Sequence, residues 1–217
     1  MPETSCFGRA RRLPFGNLSD SFGSRIMFSE RNVADIFPTP LFSYQIADKD
    51  GFNAYLMDFI NQVRKEEGWD EETLASKEES LEHLQSNDQL HHRDDAKRFV
   101  EVALAATREV LGFLRYKYDD IHITSFWFNV SRPGYSHKNH VHPNNVLSGV
   151  YYLKTNPECG SIVFDDPRPQ ANVLLPDVEE VTPFNNHTYA VTPETGQMVM
   201  FPSWLAHRVA INRSKQE

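Results

Sequence analysis

Cysteine, basic charge and long apolar runs are what this chain has little of. Cys6 and Cys159 are the two cysteines in 217 residues, far apart and outside any CxxC pattern, which argues against a disulfide framework. No apolar stretch approaches the roughly 20 residues that a membrane span requires. The first 30 residues hold no apolar core of the kind a secretory signal carries. Basic residues number 22 against 30 acidic ones, a net charge of −8, so non-specific binding to nucleic acid or an acidic membrane is disfavoured. Neither GxGxxG, a P-loop nor GxSxG occurs, which removes dinucleotide-binding, NTPase and serine-hydrolase readings. These absences point to an intracellular, cytoplasmic protein.

What is present suffices for one sizeable core and not for two comfortable domains: 40% hydrophobic and 24% charged residues over this length. Residues 1–30 are rich in Ser, Arg, Gly and Phe and are expected to form a disordered tail. Two alternatives stay open there: Arg9, Arg11, Arg12 and Arg25 faintly match a transit peptide, and Met27 is a second candidate start. Residues 31–217 are expected to form a single domain, with an edge strand and helices over 31–118 and a β core over 119–217.

Within the first part, Ile36–Ile46 suggests an edge strand, its prolines at 38 and 40 restricting pairing. Phe52, Tyr55, Leu56, Phe59, Ile60 and Val63 recur at helical spacing after an Asp50-Gly51 start signal. The acidic run Glu66–Asp88 predicts a solvated helix or loop, a mobile cover being the sharper alternative. Asp94 or Asp95 can cap a second helix with the stripe Phe99, Val102, Ala103, Ala106, Val110, Phe113 and Leu114. His91 and His92 before it are expected in solvent. From residue 121 onward, strands are predicted at 121–131, 139–142, 147–154, 161–165, 187–192, 197–202 and 206–212. Trp127, Phe126, Phe128 and Trp204 are expected to pack rather than to stack on a substrate.

The chemistry concentrates in SFWFNVSRPGYSHKNHVHPNNVLSGVYYLK, residues 125–154, and in FPSWLAHRVAIN near the C-terminus. In a strand, His140 and His142 point to one face, about 7 Å apart at Cα. With His207 they can form a centre of three neutral imidazoles that leaves coordination positions open. Isolated histidines are commonly surface or core residues, but HxH after a Pro-Gly turn with a third histidine behind FPSWLA is hard to obtain by chance.

PGYSHKNHVH, LSGVYYLK, GSIVF and PETGQMVMFPSWLAHRV together resemble the core of the Fe(II)/2-oxoglutarate-dependent oxygenases of the prolyl-hydroxylase-like kind. The resemblance spans residues 36–217, loosely over the helices and closely over the β region. It implies an α+β fold: a double-stranded β-helix, or jelly-roll, cupin-like barrel, with supporting N-terminal helices. It also implies Fe(II) and 2-oxoglutarate as cofactors, O2 as co-substrate, and hydroxylation of a small-molecule or protein substrate with release of succinate and CO2. His140, His142 and His207 fall at the metal positions and Tyr151 at a cofactor-contacting strand, where Gly149 would leave room for a ligand.

Two departures stand out. His142 occupies the place of the usual aspartate; the site is then three-His, or only His140 and His207 bind, or Asp165 or Asp166 supplies a carboxylate. The basic residue that grips the far cofactor carboxylate is due where the chain stops at Glu217. Arg213 and Lys215 are the remaining candidates, and a last strand is expected to be missing. A cupin-like three-His dioxygenase or isomerase, with Asn144 and Asn145 as supporting residues, and a non-catalytic β-barrel binding module are the competing readings. Substrate and oligomeric state, a homodimer included, stay open.

Overall fold

The computed structural model describes residues 11–12, 32–69, 84–168, 173 and 175–215. The expected N-terminal tail, apart from Arg11 and Arg12, and most of the proposed acidic cover lie outside them. Two compact units are present, residues 1–40 and 41–217. In the first, β1 (Arg11–Arg12) pairs antiparallel with β2 (Asn32–Val33). All that follows concerns the second.

Its first strand, β3 (Phe42–Gln45), is shorter than the predicted 36–46. Phe37 adopts a left-handed φ of 57°, and Pro38 and Pro40 lack the N–H that a ladder needs. Helix α1 (Lys49–Glu66) begins one turn earlier than its expected signal: Asp48 is the cap, accepting from the Gly51 N–H at 3.2 Å. Phe52, Leu56, Phe59 and Val63 form its buried stripe, as 3.6-residue periodicity requires. Each large side chain so buried is worth about 2 kcal/mol. The helix stops at Gly68, whose φ of 71° lets the Gly68 and Trp69 N–H groups turn back to the Lys65 and Arg64 carbonyls.

Leu90–His92 and Asp94–Ala96 are single 3₁₀ turns leading into α2 (Lys97–Leu114). Neither aspartate caps this helix, because Ala96 is the cap residue and Asp95 is held by Arg93 at 2.8 Å. The buried face of α2 is Ala106, Val110 and Leu111. The predicted Phe113 is 70% exposed and touches the layer only edge-on, against Phe42.

Short strands β4 (Leu84–Gln85) and β5 (Asn129–Val130) pair with each other. The predicted strand 121–131 is thus mostly irregular chain, with Phe126 and Phe128 packed into the helical cluster of Phe59, Val63, Leu90 and Ala96. The remaining strands are β6 (His137–His140), β7 (Leu147–Tyr151), β8 (Ile162–Asp165), β9 (Thr188–Val191), β10 (Gln197–Pro202) and β11 (His207–Val209). They form two antiparallel sheets, one ordered β3-β10-β7 and the other β6-β11-β8-β9.

Strand alternation sorts the sheet β3-β10-β7 into two faces. Met198 and Met200 of β10, with Leu147 and Tyr151 of β7, pack against Ala106 and Val110 of α2. Val199 and Phe201, with Val150 and Tyr152, pack against Ile162, Phe164 and Leu205. The unit is therefore a mixed α/antiparallel-β structure of helices, sheet and sheet. Among the described residues no helix is long and apolar enough to cross a membrane.

Candidate metal centre

β11 is the strand that assembles the site. His207 lies in register with His140 of β6 on one side and Phe164 of β8 on the other. The close approach of the neighbouring chain is set by Gly160, at φ 88°; a Cβ there would lie 2.2 Å from the Ala210 carbonyl oxygen. His140 closes β6, and His142 lies just past it, outside the predicted strand. The His142 backbone N–H donates to the Ser203 carbonyl at 3.0 Å, and this bond supplies the fixed position that a strand ladder would have given.

The three rings converge. Centroid separations are 4.3 Å for His140–His207, 5.0 Å for His140–His142 and 5.2 Å for His142–His207. One ligand atom from each lies within 4.8 Å of the others, and among the described residues no carboxylate joins them. Val141, between the pair, is exposed as alternation requires.

Two hydrogen bonds orient this cluster. His207 Nδ1 lies 2.9 Å from the Leu205 carbonyl and His140 Nδ1 lies 2.8 Å from that of Lys138. A carbonyl oxygen only accepts, so both Nδ1 atoms carry the proton and both Nε2 lone pairs are left to bind a metal. Burial adds to this. His207 is 4% exposed, and desolvation, reinforced by its histidine neighbours against the Leu205 bond, pushes its pKa down to about 4. Burial followed by the His140 charge lowers His142 in the same direction. A neutral imidazole is the form that ligates, so the donor set fits a divalent ion at neutral pH.

The other expected residues are placed as follows. Asp165 points away from His207: its carboxylate pairs with Arg208 and accepts from Asn139 at 2.7 Å. Asp166 is held by Arg168 at 2.6 Å. The carboxylate-supplying reading is overturned, since both acids are committed on the outer side. Tyr151 also faces away. It lies on the helix side of its sheet, edge-on to Phe52, with its hydroxyl donating to Asn53 Oδ1 at 2.5 Å. A Cβ on Gly149 would likewise meet Met200 on that side. The inward positions of this segment are Ser148, Val150 and Tyr152: Ser148 Oγ lies 2.8 Å from Ser203 Oγ, and burial pushes the Tyr152 phenol well up. Arg213 is exposed, its backbone N–H donating to the Glu158 carbonyl, and no described contact brings it to the histidines.

Several residues were missed or misplaced. His137 stacks on His140 at 4.3 Å and 20°, and the spacing HxxHxH was its signal. Trp127, expected to pack, lies against His142 at 5.9 Å, while Trp204 is 56% exposed on the turn before His207. His91, expected in solvent, is half-buried, and burial lowers its pKa.

Residues 125–217 match the family model described as "Putative 2OG-Fe(II) oxygenase". No curated protein matches the chain. Among solved structures it is similar to the crystal structure of a Pseudomonas putida prolyl-4-hydroxylase, with 14% identity over 81% of this chain and 83% of that one and a TM-score of 0.45. The matched segment is the one that brings β6 and β11 together, and it contains all three converging histidines: residues 125–217 are a 2OG-Fe(II) oxygenase domain.

Proposed function

We propose that this domain is a hydroxylase built on a double-stranded β-helix, with His140, His142 and His207 holding Fe(II). The observation that carries the reading is the convergence of three imidazoles, two of them anchored through Nδ1 to backbone carbonyls. When bound, iron and 2-oxoglutarate supply the O2 chemistry: one oxygen atom enters the substrate, and the keto acid leaves as succinate and CO2. The chain's own residues do the rest. His207 and His140 are held neutral and pre-aimed across the β6–β11 pair, so little ordering remains for metal entry to impose. Phe164 and Phe201, with ring centroids 6.0 and 4.7 Å from His207, exclude water from the inner side of the centre.

We assign the cofactor-contacting role to Tyr152 in place of Tyr151, because Tyr152 lies on the inner face shared with Ser148 and Phe201. Arg213 is retained as the candidate charge partner of the far carboxylate. The substrate is a small molecule or protein side chain accessible from the side of Trp127 and Trp204.

The test is anaerobic loading of the full chain with Fe(II), followed by metal analysis and 2-oxoglutarate-dependent succinate release in O2. Iron at one equivalent with succinate formation supports the proposal. Metal without 2-oxoglutarate turnover would favour the cupin-like three-His enzyme, and no metal at all would leave a binding module.

A further inference from the structure

We infer that His142 is the metal-selectivity determinant of this centre: it keeps the ion's protein surroundings nitrogen-only and uncharged, so the site accepts Fe(II) and later divalent ions and rejects Mn(II) and Mg(II). The inference rests on the three-histidine reading above and concerns which ions that site takes.

The argument begins with the donors. Carboxylate oxygen is hard and anionic and suits Mg(II), Ca(II) and Mn(II), whereas imidazole suits Fe, Ni, Cu and Zn. Three neutral imidazoles offer the hard ions neither the oxygen nor the charge. No nearby acid restores it, because Asp165 is committed to Arg208 and Asn139, and Asp166 to Arg168. To reach the centre, Asp165 would have to leave its arginine and cross to the other face of β8.

His142 is singled out by how it is held. His140 and His207 face each other across the β6–β11 ladder, each with Nδ1 anchored on a carbonyl. His142 lies beyond the strand, its backbone fixed by Ser203 while its ring is placed by Trp127 and by the two other histidines. Among the described residues no hydrogen bond fixes that ring. Its position can therefore be refilled by a shorter side chain without disturbing the anchored pair.

The metal-free full chain is dialysed anaerobically against equal concentrations of Mn(II), Fe(II) and Zn(II). Bound metals are counted by mass spectrometry, and free Mn(II) is titrated by electron paramagnetic resonance. Wild type should hold Mn(II) about a hundredfold more weakly than Zn(II), and His142→Asp should narrow that ratio about tenfold. Mn(II) binding within about twofold of Zn(II) in wild type, or an unchanged ratio in His142→Asp, would overturn the inference. The wild-type ratio decides even if that variant fails to fold, and His142→Glu provides a second carboxylate of different reach. If wild type binds none of the three ions, the three-histidine reading itself fails and the inference falls with it. If wild type binds metal and His207→Ala does not, while the Mn(II):Zn(II) ratio stays flat in the carboxylate variants, the site stands and only the selectivity claim is lost.

Discussion

The two faces of the sheet β3-β10-β7 are made from neighbouring residues of the same short runs and do different work. On the helix side, Leu147, Tyr151, Met198 and Met200 meet α2. Tyr151 also closes a hydrogen bond to Asn53 of α1. On the inner side, Ser148, Tyr152, Phe201 and Ser203 border the chamber in which His207 lies. A one-residue step moves a side chain from the scaffold to the site, because successive Cβ atoms point to opposite faces. In YYL the two tyrosines are chemically identical and adjacent, so their roles are separated by geometry alone.

That contrast can be broken at four points. The largest effect is expected at the site itself: His207→Ala should weaken metal binding by at least about a hundredfold, through loss of a ligand, while circular dichroism still reports the folded β structure. Full metal occupancy in that variant would remove His207 from the centre.

Next is pH. His207 titrates near 6.5 when unfolded and at about 4 in the fold. Between those values the unfolded chain binds the extra proton. The stability this residue contributes is therefore complete above pH 6.5 and is lost as pH falls toward 4. The loss is on the order of 3 kcal/mol at 1.36 kcal/mol per unit, with His142 acting in the same direction. Denaturant melts of metal-free protein at pH 7 and pH 4.5 measure it; a flat profile would mean that His207 is not held neutral by burial.

The paired tyrosines sharpen the comparison further. Tyr151→Phe should cost about 1 kcal/mol of stability by deleting the bond to Asn53 and leave the 2-oxoglutarate KM unchanged. Tyr152→Phe should do the reverse, raising that KM about tenfold, the worth of one hydrogen bond to a charged group. Equal behaviour of the two variants would mean that the sheet's faces are not functionally distinct. The smallest effect is expected for Arg213→Ala: stability within about 0.5 kcal/mol of wild type, as for other surface changes, and a KM for 2-oxoglutarate raised a few-fold. An unmoved KM would end its candidacy.

Much of the scaffold was legible before any coordinates. The α1 stripe from Phe52 to Val63 emerged as read, because its period is long enough to outvote local noise. The α2 stripe was read one position wrong at its end. Phe113 and Leu111 are both apolar there, and only the direction of the packing partner decides that Leu111 goes inside. Asp94 and Asp95 carried a capping signal that failed because Arg93 competes for Asp95 and the chain enters the helix through a 3₁₀ turn.

The sequence by itself determined which donors are available: three histidines in HxH plus one, with no carboxylate at the place the resemblance would put it, and with phenylalanines around them to keep water away. Residue type and local spacing carry that information directly. Tertiary structure alone decided that Asp165 serves Arg208 instead of a metal, that Tyr152 and not Tyr151 looks inward, and that Trp127 meets His142. Each of these depends on strand register and on which neighbour lies across a ladder, contacts between segments tens of residues apart that no local pattern encodes.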